Sequence, residues 1–178
     1  MGDTGVRHFL SLTDLSPDEV REVIARGRAL KAGAASHALA GKTAAILFEK
    51  PSLRTKLSFD VGVARLGGRA VYFGPEEVGL GRREPIEDVA AVVSRMADVA
   101  IIRTFAHSTL EEFAAAATIP VINALTDAEH PCQALADLLT IQEAKGCFED
   151  TAVAYIGDGN NVAVSLALAL ASVGGHLR

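Results

Sequence analysis

The chain of 178 residues is 49% hydrophobic and has a formal net charge of −5 at neutral pH. This length and composition allow a sizeable apolar core, and the negative charge argues against nucleic acid or an anionic membrane surface as the main partner. No apolar run approaches the roughly 18 residues of a transmembrane helix, and no signal peptide is recognisable at the N-terminus. Cys132 and Cys147 are too few for a disulfide framework and fit a reducing compartment, so we expect a cytoplasmic protein.

Strand and helix patterns alternate along the chain after a first helix, whose start is predicted by the capping box Ser16-Pro17-Asp18-Glu19. The predicted strands lie at 43–48, 70–73, 99–102 and 120–122. The helices that follow the first, second and fourth strands lie at 53–66, 85–96 and 131–144, and the helix after the third strand is predicted from the cap Ser108-Thr109-Leu110-Glu111. The strands are apolar along their whole length, which is typical of a parallel sheet sandwiched by helices. We therefore predict an α/β fold in which ligands bind beyond the carboxyl ends of the strands.

The last part of the chain predicts the beginning of a second α/β domain. A polar segment suggests a boundary, so we assign residues 1–149 to a first domain and residues 150–178 to the truncated start of a second. In this second part, a strand at 152–156 turns through Gly157-Asp158-Gly159-Asn160-Asn161 into a helix at 162–172. The chain stops where a further strand is predicted to begin.

The stretch Phe48–Thr55 predicts an anion site, because it joins a buried strand to a helix through a short loop. Such a loop presents free backbone N–H groups at the positive end of the helix dipole. Ser52 and Thr55 add hydroxyl groups, and Arg54 adds a planar guanidinium that suits phosphate oxygens. We interpret this loop as a phosphate cradle.

Three further clusters end or follow strands of the predicted sheet: the loop Gly79-Leu80-Gly81, Arg103-Thr104 and His130-Pro131-Cys132-Gln133. Each alone has an ordinary explanation, since most arginines lie at the surface and a histidine before a proline can simply cap a helix. Their common placement at the carboxyl edge of one parallel sheet favours a shared cleft. Such a cleft would suit a phosphorylated carbonyl compound, because arginines bind phosphate while Thr55, Arg103 and His130 donate to a polarised carbonyl oxygen.

These residues resemble the aspartate/ornithine carbamoyltransferase family, and the resemblance covers essentially the whole chain. Phe48–Thr55 with Lys56-Leu57-Ser58-Phe59 resembles the family's carbamoyl-phosphate signature, which is usually Ser-Thr-Arg-Thr-Arg. Other segments that match in order and spacing are Ser94-Arg95-Met96-Ala97-Asp98, Arg103-Thr104-Phe105 and the run from His130 to Leu138. The segment Gly157–Val162 is similar to the ornithine-type form of the family, which favours that type over the aspartate type.

The resemblance implies a reaction and a role for each site residue. The implied reaction transfers the carbamoyl group of carbamoyl phosphate to the δ-amine of L-ornithine, giving citrulline and phosphate for arginine biosynthesis, without a metal or an organic cofactor. The catalytic residues would be Arg103, which bridges the phosphate and the carbonyl oxygen, and Thr55 and His130, which donate to that oxygen. The substrate-binding residues would be Ser52, Leu53, Arg54 and Thr55 for the phosphate, Gln133 for the carbamoyl nitrogen, and Asn161 for the amino-acid part of ornithine.

Three positions depart from the family pattern. Leu53 replaces a threonine at a position where the backbone N–H can bind the phosphate, and Lys56 replaces an arginine while keeping its charge. Gly79 lies where many members place a Gln or His that reaches a neighbouring subunit's site.

The family assembles as trimers through its first domains, so we expect a homotrimer. The polar loop Pro75–Glu84 suits the edge of such a site.

Two other functions stay open at this point. The chain could belong to a carbamoyltransferase for another amine, because acceptor choice lies mostly in the part of the family's second domain that this sequence lacks. It could also bind carbamoyl phosphate or phosphate without turnover.

Competing motifs are weaker. Gly157-x-Gly159 resembles a dinucleotide fingerprint, but Val162 stands where the third glycine is needed, and Gly41-Lys42-Thr43 is followed by a strand where a phosphate-binding loop needs a helix. His130 and Cys132 would supply only two metal ligands.

Overall fold

The computed structural model describes residues 5–178, which form two compact units. The first unit contains the residues up to Leu10 together with Ala35–Thr126, and the second contains Ser11–Ala34 together with Asp127–Arg178. Among the described residues, no helix combines the length and the apolar character needed to cross a membrane.

The first unit is built on four strands: β1 (Thr43–Phe48), β2 (Arg69–Phe73), β3 (Val99–Arg103) and β4 (Val121–Leu125). They form one sheet in the order β2-β1-β3-β4, and all neighbouring strands are parallel. The chain therefore winds to one side of β1 and then to the other, so the sheet has a switch point between β1 and β3. In open α/β sheets, the crevice beyond the carboxyl ends of the strands at such a point is where ligands bind.

Helices connect the strands of this sheet. After α1 (Pro17–Lys31), which belongs to the second unit, the connecting helices are α2 (Leu53–Arg65), α3 (Pro75–Val78), α4 (Ile86–Met96) and α5 (His107–Ala116). Alternate residues of β1 enter two separate apolar clusters, because successive side chains of a strand point to opposite faces. Leu47 is in a buried cluster with Phe113 of α5, whereas Phe48 is in a cluster with Val63 of α2. The sheet is thus covered by helices on both faces.

The second unit packs three helices together: α1, α6 (Pro131–Lys145) and α7 (Asn161–Val173). Their fully or almost fully buried apolar residues are Val20, Ile24, Ala134, Leu138, Ala169, Leu170 and Val173. The predicted capping box of α1 is confirmed, since Ser16 and Glu19 bond to each other's backbone N–H groups. A short 3₁₀ helix (Leu12–Asp14) precedes α1, and a two-stranded parallel sheet of β5 (Ala152–Val153) and β6 (His176–Leu177) pairs the last residues.

The structure confirms the predicted α/β fold with four parallel strands, and it corrects the start of α5. We expected Ser108 to cap this helix, but α5 begins at His107, and no side chain caps it. The reason lies in the backbone: the N–H of Thr109 already donates to the carbonyl of Ala106 at 3.2 Å, so the first turn closes before Ser108 could act as a cap.

Four strands differ in length from the prediction. β2 begins one residue earlier, at Arg69, and β4 spans Val121–Leu125, where we predicted 120–122. β3 includes Arg103, which we placed after the strand, because its register with β1 continues to the pair Phe48–Arg103. The strand predicted at 152–156 is only two residues long, although the N–H of Tyr155 still donates to the carbonyl of Arg178 at 2.8 Å. The predicted domain boundary after residue 149 stays a prediction.

Candidate active site

The loop after β1 has the local geometry of an anion site. Ser52 is the N-cap of α2; its Oγ accepts a hydrogen bond from the N–H of Thr55 at 3.4 Å and donates to Thr55 Oγ1 at 2.9 Å. Among residues 5–178, the N–H groups of Leu53 and Arg54 have no hydrogen-bond acceptor. Two free N–H groups at the start of a 13-residue helix carry its positive dipole end, which favours a bound anion.

Arg103 supplies a buried positive charge beside this loop. Only 9% of the residue is exposed, and its Nη1 donates to Thr55 Oγ1 at 3.4 Å. Within the described part of the chain, its Nε has no hydrogen-bond partner and no carboxylate pairs with it. Burial lowers the pKa of the Arg103 guanidinium, because desolvation disfavours the charged form. A buried cation without a counter-charge is an arrangement that an anionic ligand would complete.

The position of Arg103 follows from the ends of three strands. An irregularity in the β3–β4 pairing falls between Ile102 and Arg103, and such bulges commonly redirect a side chain near a site. The carbonyl of Arg103 accepts from the N–H of Glu49 at 2.8 Å, and the Glu49 carboxylate accepts from the hydroxyl of Thr104. The N–H of Thr104 donates to the carbonyl of Leu125 at 3.1 Å. This role of Glu49 was not predicted from the sequence, where its only signal is its position directly after a buried strand.

Further positive charges surround the loop. Arg54 is exposed, Lys50 Nζ lies 5.7 Å from the ring centre of Phe105, and Lys56 Nζ lies 3.6 Å from the ring centre of Tyr72. Cation–π contacts of this kind hold an ammonium group in place without neutralising it. The local charge is therefore positive although the whole chain is acidic.

The remaining predicted site residues lie in the second unit. His130 is the N-cap residue of α6, and its N–H donates to Ser165 Oγ at 2.8 Å. Gln133, in the first turn of α6, donates from its side-chain amide to Asp137 at 2.9 Å. Asn161 is the first residue of α7. The structure thus brings together Ser52, Thr55 and Arg103 in the first unit, and the meeting of His130, Gln133 and Asn161 with them stays a prediction.

Other features of the molecule lie away from this loop. Two apolar grooves of about 440 and 560 Å³ lie against opposite faces of the sheet, and neither is lined by Ser52, Thr55 or Arg103. In the range 5–178, no three His, Cys, Asp or Glu side chains come close enough to hold a metal ion together. Burial raises the pKa of the Cys132 thiol to about 12, so this neighbour of His130 is a poor nucleophile at neutral pH.

Known proteins match this chain over nearly its whole length. A sequence profile described as "Aspartate/ornithine carbamoyltransferase, carbamoyl-P binding domain" matches residues 7–143. The ornithine carbamoyltransferase of Haloquadratum walsbyi is 50% identical over 167 residues, which cover 94% of this chain and 56% of the relative. That of Listeria monocytogenes is 48% identical over 178 residues, which cover 99% of this chain and 56% of the relative.

Solved structures agree with these sequence matches. The ornithine carbamoyltransferase from Pyrococcus furiosus superposes with a TM-score of 0.91 at 43% identity, covering 96% of this chain and 56% of that one. The enzyme from Thermus thermophilus superposes with a TM-score of 0.91 at 40% identity, covering 97% of this chain and 60% of that one. The chain therefore spans a little over half the length of the relatives it matches, and it belongs to the aspartate/ornithine carbamoyltransferase family through the carbamoyl-phosphate-binding domain.

Proposed function

We propose that this chain is the carbamoyl-phosphate-binding part of an ornithine carbamoyltransferase. The observation that carries the proposal is the buried Arg103 guanidinium, which has no carboxylate partner among the described residues and lies beside the free N–H groups of α2. A dianionic phosphate would receive hydrogen bonds from the backbone N–H groups of Leu53 and Arg54. Ser52 would hold the turn that presents them, because it caps α2 and donates its hydroxyl hydrogen to Thr55 Oγ1. The phosphate would also receive the charge of Arg54, whose exposed side chain can fold over the ligand.

Arg103 and Thr55 are proposed to act on the carbonyl oxygen of the substrate. Thr55 Oγ1 accepts from Arg103 and from Ser52, so its own hydroxyl hydrogen is left to donate to a ligand. In the reaction, the lone pair of the uncharged δ-amine of ornithine attacks the carbonyl carbon. Negative charge then grows on the carbonyl oxygen, where fixed donors stabilise it more strongly than in the ground state. The C–O bond to phosphate breaks next, the leaving phosphate takes up the proton that the amine nitrogen loses, and the phosphate leaves into the cradle.

The family resemblance supports the roles proposed for the second unit. His130 is the third donor to the carbonyl oxygen, Gln133 holds the carbamoyl nitrogen, and Asn161 contacts the amino-acid part of ornithine. Positioning and electrostatics then supply most of the rate, because no covalent intermediate is formed on the protein.

Citrulline formation tests the proposed reaction. The full-length product of the gene that encodes this chain should form citrulline from carbamoyl phosphate and ornithine. Aspartate and a simple diamine, offered at the same concentration, test the acceptor. If the full-length protein carbamoylates one of these amines but not ornithine, the proposed acceptor is wrong while the proposed phosphate site still holds. No carbamoyl transfer to any amine would contradict the reaction itself.

Binding without turnover is the second candidate for the 178-residue chain taken alone. It is favoured by the fact that the chain spans 56% of the length of its Haloquadratum walsbyi relative, while the cradle and Arg103 lie within the part that is present. Isothermal titration of the chain with inorganic phosphate should then show binding, whereas citrulline assays of the same sample stay blank. Citrulline formation by this sample would reject the second candidate.

We also propose that the protein assembles as a homo-oligomer, with a trimer expected from the family resemblance. The outer side of α2 supports this, because Leu53, Leu57 and Val61 are 81%, 58% and 39% exposed and lie four residues apart on one helix face. Leu57→Glu should lower the mass measured by light scattering, whereas Ser58→Glu, on an adjacent exposed face of α2, should not. A wild-type chain that is monomeric at high concentration would contradict the proposal.

Arginine biosynthesis in the cytoplasm is the proposed setting of this activity. The pathway follows from the family resemblance and from the proposed product, citrulline. One observation supports the cytoplasm: Cys132 and Cys147 are not joined in a disulfide. Fractionation of cells that express the tagged full-length gene product would test this location.

A further inference from the structure

We propose that Glu129 and Ser165 are positioning residues that hold His130 in place for the carbonyl oxygen of the substrate. This inference rests on the proposed function, in which His130 is a donor to that oxygen. Neither residue belongs to the motifs that carried the sequence analysis.

The proposal starts from a buried carboxylate directly before His130. Glu129 is 7% exposed. Its oxygens accept from Ser11 Oγ at 2.5 Å, from the N–H of Leu12 at 3.2 Å and from Ser165 Oγ at 3.1 Å. A buried carboxylate that accepts three hydrogen bonds is fixed in position. Glu129 therefore joins the residues that begin the 3₁₀ helix to the middle of α7.

Ser165 connects the fixed carboxylate of Glu129 to the backbone of His130. Its side chain is fully buried, and its Oγ accepts the N–H of His130 at 2.8 Å while its hydroxyl hydrogen points to Glu129. The carboxylate determines the orientation of the hydroxyl, so the lone pairs of Oγ face the backbone of His130. Hydrogen bonds linked in this way polarise and strengthen one another in a buried environment.

The backbone of His130 is held on both sides. Its carbonyl accepts from the N–H groups of Gln133 and Ala134 at 3.1 and 3.2 Å, and its N–H donates to Ser165. His130 is the N-cap of α6, with φ of −130° and ψ of 66°, and no side chain caps that helix. The next residue is Pro131, which has no N–H. Ser165 therefore fixes the N–H side of His130, next to the Cα atom from which the imidazole leaves the backbone.

The same contact links His130 to the proposed ornithine side of the site. Ser165 lies four residues after Asn161, which is one helical turn further along α7. Asn161 is the residue proposed to contact the amino-acid part of ornithine. A rigid turn of α7 thus connects the proposed ornithine contact with the donor to the carbonyl oxygen.

A double-mutant cycle separates positioning from a general effect on stability. In the full-length gene product, Ser165→Ala should lower kcat for citrulline formation about 10- to 100-fold, the range expected when a catalytic group is displaced by a fraction of an ångström. In a His130→Ala background the same change should lower kcat by less than about twofold, because the group that it positions is already absent. An equal loss in both backgrounds, or no loss in the wild-type background, overturns the proposal.

Matched variants show whether a lower kcat comes from lost positioning of His130 or from impaired folding. Ser172→Ala is the control, because Ser172 also lies on α7 and donates to the carbonyl of Ala169 at 2.8 Å without touching Glu129 or His130. It should leave kcat unchanged. Glu129→Gln keeps the shape of the side chain and removes its charge, so it should lower kcat in the same direction as Ser165→Ala. Ser165→Thr, which keeps a hydroxyl, should retain activity within about threefold.

A spectroscopic measurement on the 178-residue chain does not depend on turnover. The ring ¹⁵N resonances of His130 should shift in Ser165→Ala and in Glu129→Gln, and they should stay in place in Ser172→Ala. If wild-type enzyme forms no citrulline while these shifts occur, the proposed function fails and the positioning of the ring stands. Unshifted ring resonances in all three variants overturn the positioning.

Discussion

Replacing Arg103 by methionine tests whether its buried guanidinium is present to bind an anion. Only 9% of Arg103 is exposed, and its Nε has no partner in the part of the chain that the structure describes. Its side-chain bond to Thr55 Oγ1 is long, at 3.4 Å. Methionine fills a similar volume with an apolar chain, so it keeps most of the packing and removes the buried charge.

Two opposite effects should follow from Arg103→Met. In phosphate-free buffer the chain should become more stable by about 1 kcal/mol, because removal of a desolvated charge outweighs the loss of one long hydrogen bond. For a chain of this size, that corresponds to a rise in Tm of about 2–4 °C. Phosphate binding should weaken about 10- to 150-fold, because at least one charge-assisted hydrogen bond worth about 1.5–3 kcal/mol is lost.

Thermal unfolding with and without inorganic phosphate measures both effects in one assay. Phosphate at 100 times its wild-type Kd should stabilise the wild-type chain by about 2.7 kcal/mol, and at the same concentration it should stabilise the variant by only about 0.3–1.4 kcal/mol. Arg95→Met is the matched control, because Arg95 is exposed on α4 and lies outside the cradle. The reasoning is refuted if Arg103→Met melts below the wild type in phosphate-free buffer, or if its Kd for phosphate is unchanged. Arg103 would then be a structural residue.

The remaining predictions concern stability and reactivity elsewhere in the chain. Cys132, whose pKa burial raises to about 12, should react with a disulfide reagent at pH 8 at least about 100-fold more slowly than the second, exposed cysteine; similar rates for both would contradict this. The hydrogen bond from Lys42 lowers the pKa of Asp98 below its ordinary value of 3.8. The wild type should therefore be more stable than Asp98→Asn above pH 3.8, and this difference should disappear as the pH falls through the lowered pKa of Asp98. Acid titration of the free energy of unfolding of both proteins measures the difference. Gly79→Ala should destabilise the chain by about 1–2 kcal/mol, because Gly79 has φ of +47°. Gly62→Ala inside α2 should stabilise the chain by about 0.5–1 kcal/mol, because nothing lies within 4 Å of a new Cβ there. Urea titrations measure both changes, and effects of the same sign would refute the backbone argument.

Features that depend on neighbouring residues could be predicted from the sequence. The bounds of β1 agree with the prediction at both ends, because Thr43–Phe48 is a continuous apolar run that ends in a polar loop. The start of α2 at Leu53 also agrees with the prediction, and Ser52 directly before it is a residue type that commonly caps helices. The start of α5 could not be predicted in this way, because backbone bonds at Ala106 begin the helix before Ser108.

The exposure of the site residues was not predictable from the sequence pattern. Arg54 and Arg103 look alike as arginines near strand ends, yet the first is exposed and the second is buried. The difference arises from position in the sheet, because Arg103 ends a central strand that is paired on both sides. An arginine in that position loses hydration whatever its local sequence is, and only the strand order β2-β1-β3-β4 reveals it.

The burial of Glu129 could not be predicted from the local sequence pattern. In the sequence it is one acidic residue in a polar segment, and such a residue is normally exposed. In the structure it is buried, because its partners come from Leu12, 117 residues earlier, and from Ser165, 36 residues later. Contacts over these separations leave no periodicity that a single sequence could reveal. The cradle is therefore a local motif that can be read from neighbouring residues, whereas the proposed positioning of His130 depends on contacts between residues far apart in the chain. If so, substitutions at Glu129 or Ser165 should impair catalysis while every recognisable motif of the family stays intact.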